Sequence, residues 1–410
     1  MKQPGRTGGT PRLATFACCA LFAAIAGAAI AEDQEGALGM KVGAGSRLLL
    51  SLGVGTRYAS NYYYQESDEE SAVGLVVRPS ALLLTDRGAL RYQFSATAEA
   101  GAFNLEGDAD DYLDGGLGAK FDWKPLTRHY FSGGASWISD HDPFGTRRTE
   151  AAGLLDRKLD RWEQTAGNFL YRFGAPEAKM NLEGELSAYD REYTTNRDST
   201  QFLDFDSVAL RGTAYYKISS KTSLLAEVIG ADIDYDKIAV GSASRSGEMT
   251  RYRVGARWLA TGKTTGDVRL GRVERDFDSP VQDSYDEFDW QVVVSWEPRT
   301  RDRLSLTTGR EPEESYLNAA SLIDHRYYRL RWEHDWTTML KSRLTYSFGD
   351  LDYRGITRHD EVQEWSLDLE YKPARRWALF GEIALQERDS NVALRDYDNT
   401  VISAGIRLTY

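Results

Sequence analysis

Glu364-Trp365-Ser366-Leu367-Asp368-Leu369-Glu370-Tyr371 alternates without a slip between polar residues and large apolar ones. A period of two over eight residues is that of a β-strand with chemically opposed faces. Pro373-Ala374-Arg375 breaks the pattern, and a second alternating run follows over 376–388. The acidic stretch Asp389 to Asp398 then leads to a third run, 399–410. A tight turn followed by a long polar loop is the rhythm of an up-and-down transmembrane β-barrel, with short turns on one side and long loops on the other.

Working back from this stretch, the rhythm does not break. Short connections occur at Asp86-Arg87-Gly88, Lys124-Pro125-Leu126, Gly174-Ala175-Pro176, Ser219-Ser220-Lys221, Gly262-Lys263, Pro298-Arg299-Thr300 and Thr337-Thr338-Met339. Between them lie longer links rich in Asp, Glu, Ser and Asn, such as Glu66 to Glu70 and Glu106 to Asp111. Eight turns and nine loops join eighteen segments, from 46–60 to 399–410. The expected fold is all-β: a transmembrane antiparallel up-and-down barrel of about eighteen strands. Phe288, Trp290, Val292, Val294 and Trp296 form the same kind of apolar face, against Asp289, Gln291, Val293 and Ser295. In a water-soluble sandwich that face would be the core; in a barrel it meets lipid.

The amino-terminal stretch reads as a targeting segment. Lys2, Arg6 and Arg12 precede an apolar run from Leu13 to Ile30, and Ala29-Ile30-Ala31 is an A-x-A cleavage site. Residues 1–31 are therefore expected to be a cleaved signal peptide, 32–45 a short periplasmic lead and 46–410 the barrel. Both cysteines, Cys18 and Cys19, fall within 1–31, so the mature chain has no disulfide or thiolate chemistry. Cleavage removes three positive charges and moves the net charge from −12 to about −15, which argues against a nucleic-acid partner.

Trp123, Trp258, Trp296, Trp336 and Trp377 sit beside short turns, and Trp137, Trp162, Trp290 and Trp365 at loop-side ends. That spacing suits two interfacial girdles. At the far end Ile402, Ala404, Ile406, Leu408 and Tyr410 share one face. They are expected to be the insertion signal read by the outer-membrane barrel insertion machinery.

Several short pieces resemble one family. They include Leu210-Arg211-Gly212, Asp232-Ile233-Asp234-Tyr235, Arg275-Asp276-Phe277, Trp296-Glu297-Pro298, Tyr353-Arg354-Gly355 and Arg388-Asp389-Ser390-Asn391. The chain thereby resembles the large outer-membrane β-barrel porins encoded with exopolysaccharide export systems. The resemblance implies a channel that passes a polysaccharide substrate across the Gram-negative outer membrane, beside a periplasmic polysaccharide export protein. The alternatives are a general or small-solute diffusion porin, and a closed structural barrel or adhesin.

A barrel of this size encloses an aqueous lumen unless something fills it. Parity turns Arg211, Lys217, Glu227, Arg251, Arg253, Arg257 and Arg269 inward on successive strands, with Arg329, Arg331 and Arg343 beyond. Acids follow at Glu364, Asp368, Glu370 and Glu382. Two readings stay open: a ladder of transient contacts for an anionic polymer, or opposed charges that pair across the wall. The longest loop, about 140–161, carries Glu150, Leu154, Leu155, Arg157 and Lys158 in a short helical pattern and is the candidate constriction. Tyr62, Tyr63 and Tyr64 suit either sugar stacking or an interfacial girdle.

No enzyme is expected. The five histidines make no metal-ligand spacing, and His141-Asp142 and His359-Asp360 are adjacent residues whose side chains point apart on a strand. Gly107-Asp108-Ala109-Asp110-Asp111 lacks the later ligands of a calcium loop. No cofactor is implied; the expected partners are membrane lipid and lipopolysaccharide, with divalent ions between acidic loops and phosphates.

Overall fold

The computed structural model describes residues 39–105, 111–150, 158–258 and 263–410. Residues 1–31, expected to be a signal peptide, Asp108 to Asp110, Leu154, Leu155, Arg157 and Gly262 lie outside them.

A four-residue strand β1 (Met40–Gly43) precedes the barrel proper. The wall begins with β2 (Ser46–Ala59), β3 (Ala72–Arg87), β4 (Leu90–Phe103), β5 (Tyr112–Leu126), β6 (His129–Asp142) and β7 (Asp160–Phe173). It continues through β8 (Met180–Tyr193), β9 (Phe205–Lys217), β10 (Thr222–Tyr235), β11 (Gly247–Trp258), β12 (Thr264–Phe277) and β13 (Tyr285–Arg299). The last third is β14 (Asp302–Glu314), β15 (Leu322–Asp335), β16 (Leu340–Tyr353), β17 (Arg358–Ala374), β18 (Trp377–Ser390) and β19 (Tyr397–Thr409). Each pairs antiparallel with its sequence neighbours, and β19 pairs with β2 from Val401↔Ala59 to Thr409↔Ser51. The ring is closed at eighteen strands. Closure is what a sheet in lipid requires, because an open edge would leave backbone groups without water or partner.

The described part of the amino-terminal lead, residues 39–45, contains β1. β1 folds back on β2, Met40 facing Leu48, and occupies the lane beside β2 that β19 vacates where the chain ends. There Tyr410 N donates to Leu50 O at 2.8 Å and Leu50 N to Tyr410 O at 3.0 Å.

A fourteen-residue strand is roughly 46 Å long and, tilted at about 45°, covers about 33 Å of membrane normal. The apolar faces suit that span. Trp365, Leu367, Leu369 and Tyr371 of β17 are exposed, and so are Leu379, Ile383 and Leu385 of β18 and Ile402, Ile406 and Leu408 of β19. Exposed Trp123, Trp296, Trp336 and Trp377 ring one end of this band, and Trp137 and Trp365 lie nearer the other. Trp162 departs from the girdle expectation. It shares the inward face of β7 with buried Asp160 and Gln164, and its ring packs under Arg191 at 3.9 Å.

Candidate functional site: the lumen and its outer mouth

Arg211, Lys217, Glu227, Arg251, Arg253, Arg257 and Arg269 all project inward from β9 to β12, but they do not form an open row of cations. Glu227 accepts from Arg269 Nη1 at 2.5 Å and lies 3.6 Å from Arg253 and 3.9 Å from Arg211. Asp289 on β13 is gripped by Arg253 through both Nε and Nη2, with Arg251 Nε 3.7 Å away. Asp267 takes Arg269 Nε at 2.8 Å and Arg257 Nε at 2.7 Å, and Arg211 pairs with Glu185. Lys217 stands apart at the turn end, bonded to Pro176 O and Glu177.

The centre of this network is dry. Arg251 is 2% exposed, Arg269 1% and Asp289 0%. Burial of guanidinium groups is tolerable only when opposed carboxylates and hydrogen bonds replace their hydration. Local geometry helps: across β11 and β12, Arg253 faces Gly271 and Arg269 faces Gly255, so each arginine has a cross-strand partner with no side chain. The pairing reading of these arginines therefore describes the wall better than the ladder reading. Of its counter-charges, Asp267 and Glu185 went unnamed at the sequence level although their inward parity was legible, and Asp289 was read only as one of the polar face of its strand.

Above the network, the inward face is apolar, which a uniformly polar lumen would not be. Phe205, Ile233, Tyr235, Met249, Val273 and Tyr285 pack together as a buried cluster. Loops seal it. Arg245 lies over the Tyr235 ring at 4.1 Å and donates to the carbonyl oxygens of Phe202 and Ser315, tying three loops together.

The sector from β15 to β18 is wetter. Arg329 on β15 donates to Ser347 Oγ at 3.2 Å, and Arg331 is half-buried beside it on the same inward face. Arg343 is exposed and pairs with Glu333 at 3.2 Å. Glu364, Asp368 and Glu382 are half-buried and adjacent, Asp368 standing directly across from Glu382. Glu364 accepts from Gln386, while Glu370 is held by Arg407 and Lys372.

The loop after β6 enters the ring. Its described part, 143–150, contains a 3₁₀ turn at Arg147–Thr149 and ends at Glu150. Gly145, at φ +72°, seats so tightly that a Cβ there would meet the Tyr63 carbonyl oxygen at 1.7 Å. Phe144, Tyr63, Tyr112 and Leu159 form a buried cluster. Tyr63 is thus neither a girdle residue nor a free stacking platform. Lys158 is exposed where the chain rejoins the wall.

From there Glu150 reaches residues far around the barrel. Arg358 at the start of β17 donates to both its oxygens, at 2.8 and 3.2 Å. Arg388 on β18 donates at 2.7 Å, and Arg395 Nε lies 3.8 Å away. Tyr316, in the loop joining β14 to β15, donates at 2.7 Å. Counted around the ring, β18 is six strands from β6, and β15 is nine, half of eighteen. The segment therefore bridges the interior. Glu150 and Arg358 side chains are 2% and 3% exposed. Burial, with Glu150 next to it, pushes the Tyr316 phenol above its ordinary pKa.

Two groups unseen in sequence spacing lie near the outer strand ends. Asp114, Asp140 and His141 bring three ligand-type atoms within 4.8 Å of one another, and so do Asp350, Asp352 and His359. In each, the histidine Nδ1 is hydrogen-bonded to an aspartate, at 3.0 and 2.8 Å. His141 and His359 turn away from their sequence neighbours Asp142 and Asp360, which serve Tyr193 and Arg358 instead.

A family model described as "Putative beta-barrel porin 2" matches residues 36–410. No curated protein matches the sequence. Among solved structures, OccAB3 of Acinetobacter baumannii is 13% identical with a TM-score of 0.48, over 90% of this chain and 99% of that one. A BenF-like porin from Pseudomonas fluorescens Pf-5 is 10% identical, with a TM-score of 0.48 over 89% and 99%. OpdL of Pseudomonas aeruginosa is 13% identical, with a TM-score of 0.47 over 90% and 99%.

Proposed function

The chain belongs to the family of putative beta-barrel porin 2, a channel of the Gram-negative outer membrane rather than an enzyme, and we propose that it conducts small polar solutes through an off-centre passage. The observation that carries this reading is the bridge from β6 through 143–150 to Arg358, Arg388 and Tyr316. It divides the outer mouth, and the dry network on β9–β13 thickens one side of the wall. Water and solutes are left the sector lined by Arg329, Arg331, Arg343, Glu364, Asp368 and Glu382. Mixed charge there favours hydrated polar solutes over apolar ones.

Export of an exopolysaccharide, which the short motifs suggested, would need a clear mouth of larger bore. The bridge favours the diffusion-porin alternative. In the membrane, the long connections and the bridge face outward towards lipopolysaccharide, both termini lie in the periplasm, and the Ile402 to Tyr410 face engages the insertion machinery.

Liposome swelling with sugars of rising size, and single-channel recording in planar bilayers, test the proposal. Mono- and disaccharides enter and larger oligosaccharides do not. Deleting residues 145–158 raises both conductance and the size limit. Equal conductance of the deletion variant and the intact barrel would overturn the reading.

A further inference from the structure

The place where Glu150 ends is built as a receptor for a carboxylate. Arg358 presents a two-pronged fork, Nη1 and Nη2 each on a different Glu150 oxygen, which is the geometry that recognises any carboxylate. Arg388 and the Tyr316 hydroxyl add two more donors on Oε1. Arg358 also lies over the Tyr353 ring at 4.3 Å and Arg388 over Tyr397 at 5.1 Å, so the cations are held from behind by aromatic faces. Asp360, fixed by Ser390 at 2.6 Å and by Tyr353, orients Arg358 from the other side. All of these residues belong to the wall or its loops and remain when Glu150 leaves.

Glu150 is held in the socket by its side chain, while the segment behind it is anchored on β7 by Arg148, whose Nε and Nη2 donate to Asp160 at 2.6 and 2.8 Å. Among the described residues, the backbone hydrogen bonds of 143–150 are local: Thr146 to Pro143, Thr149 to Thr146 and Glu150 to Arg147. No ladder bond holds it to the wall. Arg388 Nε and Arg395 Nε and Nη1 are buried donors with no acceptor among the described residues, so the socket offers more hydrogen bonds than one side-chain carboxylate uses. Charge closes the argument. Without Glu150, three guanidinium groups would be left with Asp360 as their one ion-pair partner among the described residues, in a shielded site, which is costly. Glu150 can therefore leave readily only in exchange for another anion.

We infer that Arg358, Arg388, Arg395 and Tyr316 form a binding site for the carboxylate of a small acidic solute, with Glu150 as an internal stand-in that the solute displaces. The inference rests on the channel reading above and extends it. Binding releases the bridge, so the acid solute admits itself. A sugar acid suits the spare donors best, since ring hydroxyls can take what the carboxylate leaves.

The test uses the full barrel, folded in detergent and in planar bilayers, with glucuronate as probe, glucose as the uncharged control and a uronate oligomer as the polymeric source of the same group. Glucuronate added on the loop side raises conductance saturably, glucose does not, and the response is lost in Arg388→Gln. Glu150→Gln conducts at the raised level without acid. Calorimetric titration of Glu150→Gln, whose socket has lost its stand-in, reads binding independently of conduction: glucuronate binds it more tightly than the unaltered barrel. Absence of glucuronate binding to Glu150→Gln overturns the inference, whatever the conductance. Unchanged conductance in Glu150→Gln together with tight glucuronate binding would instead remove the gating role and the channel reading built on the bridge, leaving the receptor. A response to the oligomer but not to glucuronate would overturn the small-solute assignment.

Discussion

Arg269 on β12 reaches past β11 to Glu227 on β10, Nη1 to Oε2 at 2.5 Å, with both side chains almost completely shielded from water. The contact spans two strands because the intervening Arg253 commits its fork to Asp289. Glu227 is thus the shared counter-charge of Arg211, Arg253 and Arg269. A buried pair gains little over a hydrophobic replacement, but removing one member strands a charge and costs about 3–5 kcal/mol. Glu227→Gln is expected to lose stability of that order, read from urea unfolding in micelles by tryptophan fluorescence. A loss below about 1 kcal/mol, the range of a single exposed pair, would mean that the arginines are solvated rather than locked.

The same burial separates stability from selectivity. Arg251 and Arg253 are 2% and 4% exposed, so a passing ion meets them already neutralised. Arg343 is exposed and Arg331 half-buried on the wetter wall. Reversal potentials in a salt gradient should therefore shift towards cation preference in Arg331→Ser and Arg343→Ser. Arg251→Ser and Arg253→Ser should leave them nearly unchanged while lowering stability. The opposite ranking would restore the arginines of β11 as the selectivity element.

How far the sequence carried differs between wall and lumen. β10 begins at Thr222 and β16 at Leu340, directly after the turns read at Ser219-Ser220-Lys221 and Thr337-Thr338-Met339, because period-two patterning and turn-residue breaks are local properties. Parity also tells that Ile233 and Arg251 both point inward. It cannot tell that loops will cover Ile233 while water reaches Arg343, since that depends on contacts between distant segments. Glu150 and Arg358 are 208 residues apart, and nothing in either neighbourhood announces the other. Asp289 illustrates a middle case: its face was legible, but its choice of Arg253 over other inward cations is set by cross-strand register.

Asp190, Asp206 and Asp234 stand directly across from one another on β8, β9 and β10, on the outward face near the loop ends. Like charges in such register repel, by about 0.2–1 kcal/mol per pair. Asp206→Asn, which relieves both contacts at once, should raise the unfolding midpoint in low salt. The gain should shrink as salt screens the exposed pair. A lower midpoint in Asp206→Asn would show that Asp206 makes a favourable contact outweighing the repulsion.

Leu367 and Ser366 are neighbours near the middle of β17, with Leu367 exposed on the apolar face and Ser366 on the same inward face as Asp368 and Glu364. If that apolar face meets lipid, an arginine at Leu367 must carry its charge into hydrocarbon, at a cost of about 2–4 kcal/mol near the midplane. An arginine at Ser366 enters a lumen that already holds Asp368 and Glu364 and should cost much less, while shifting ion selectivity towards anions. Unfolding of Leu367→Arg and Ser366→Arg from phospholipid vesicles compares the two directly. In detergent-free water no such asymmetry could favour the charged lumen side, so the sign of the difference identifies which face is solvated by lipid. Equal destabilisation of the two variants would remove the membrane assignment of this face, and with it the channel.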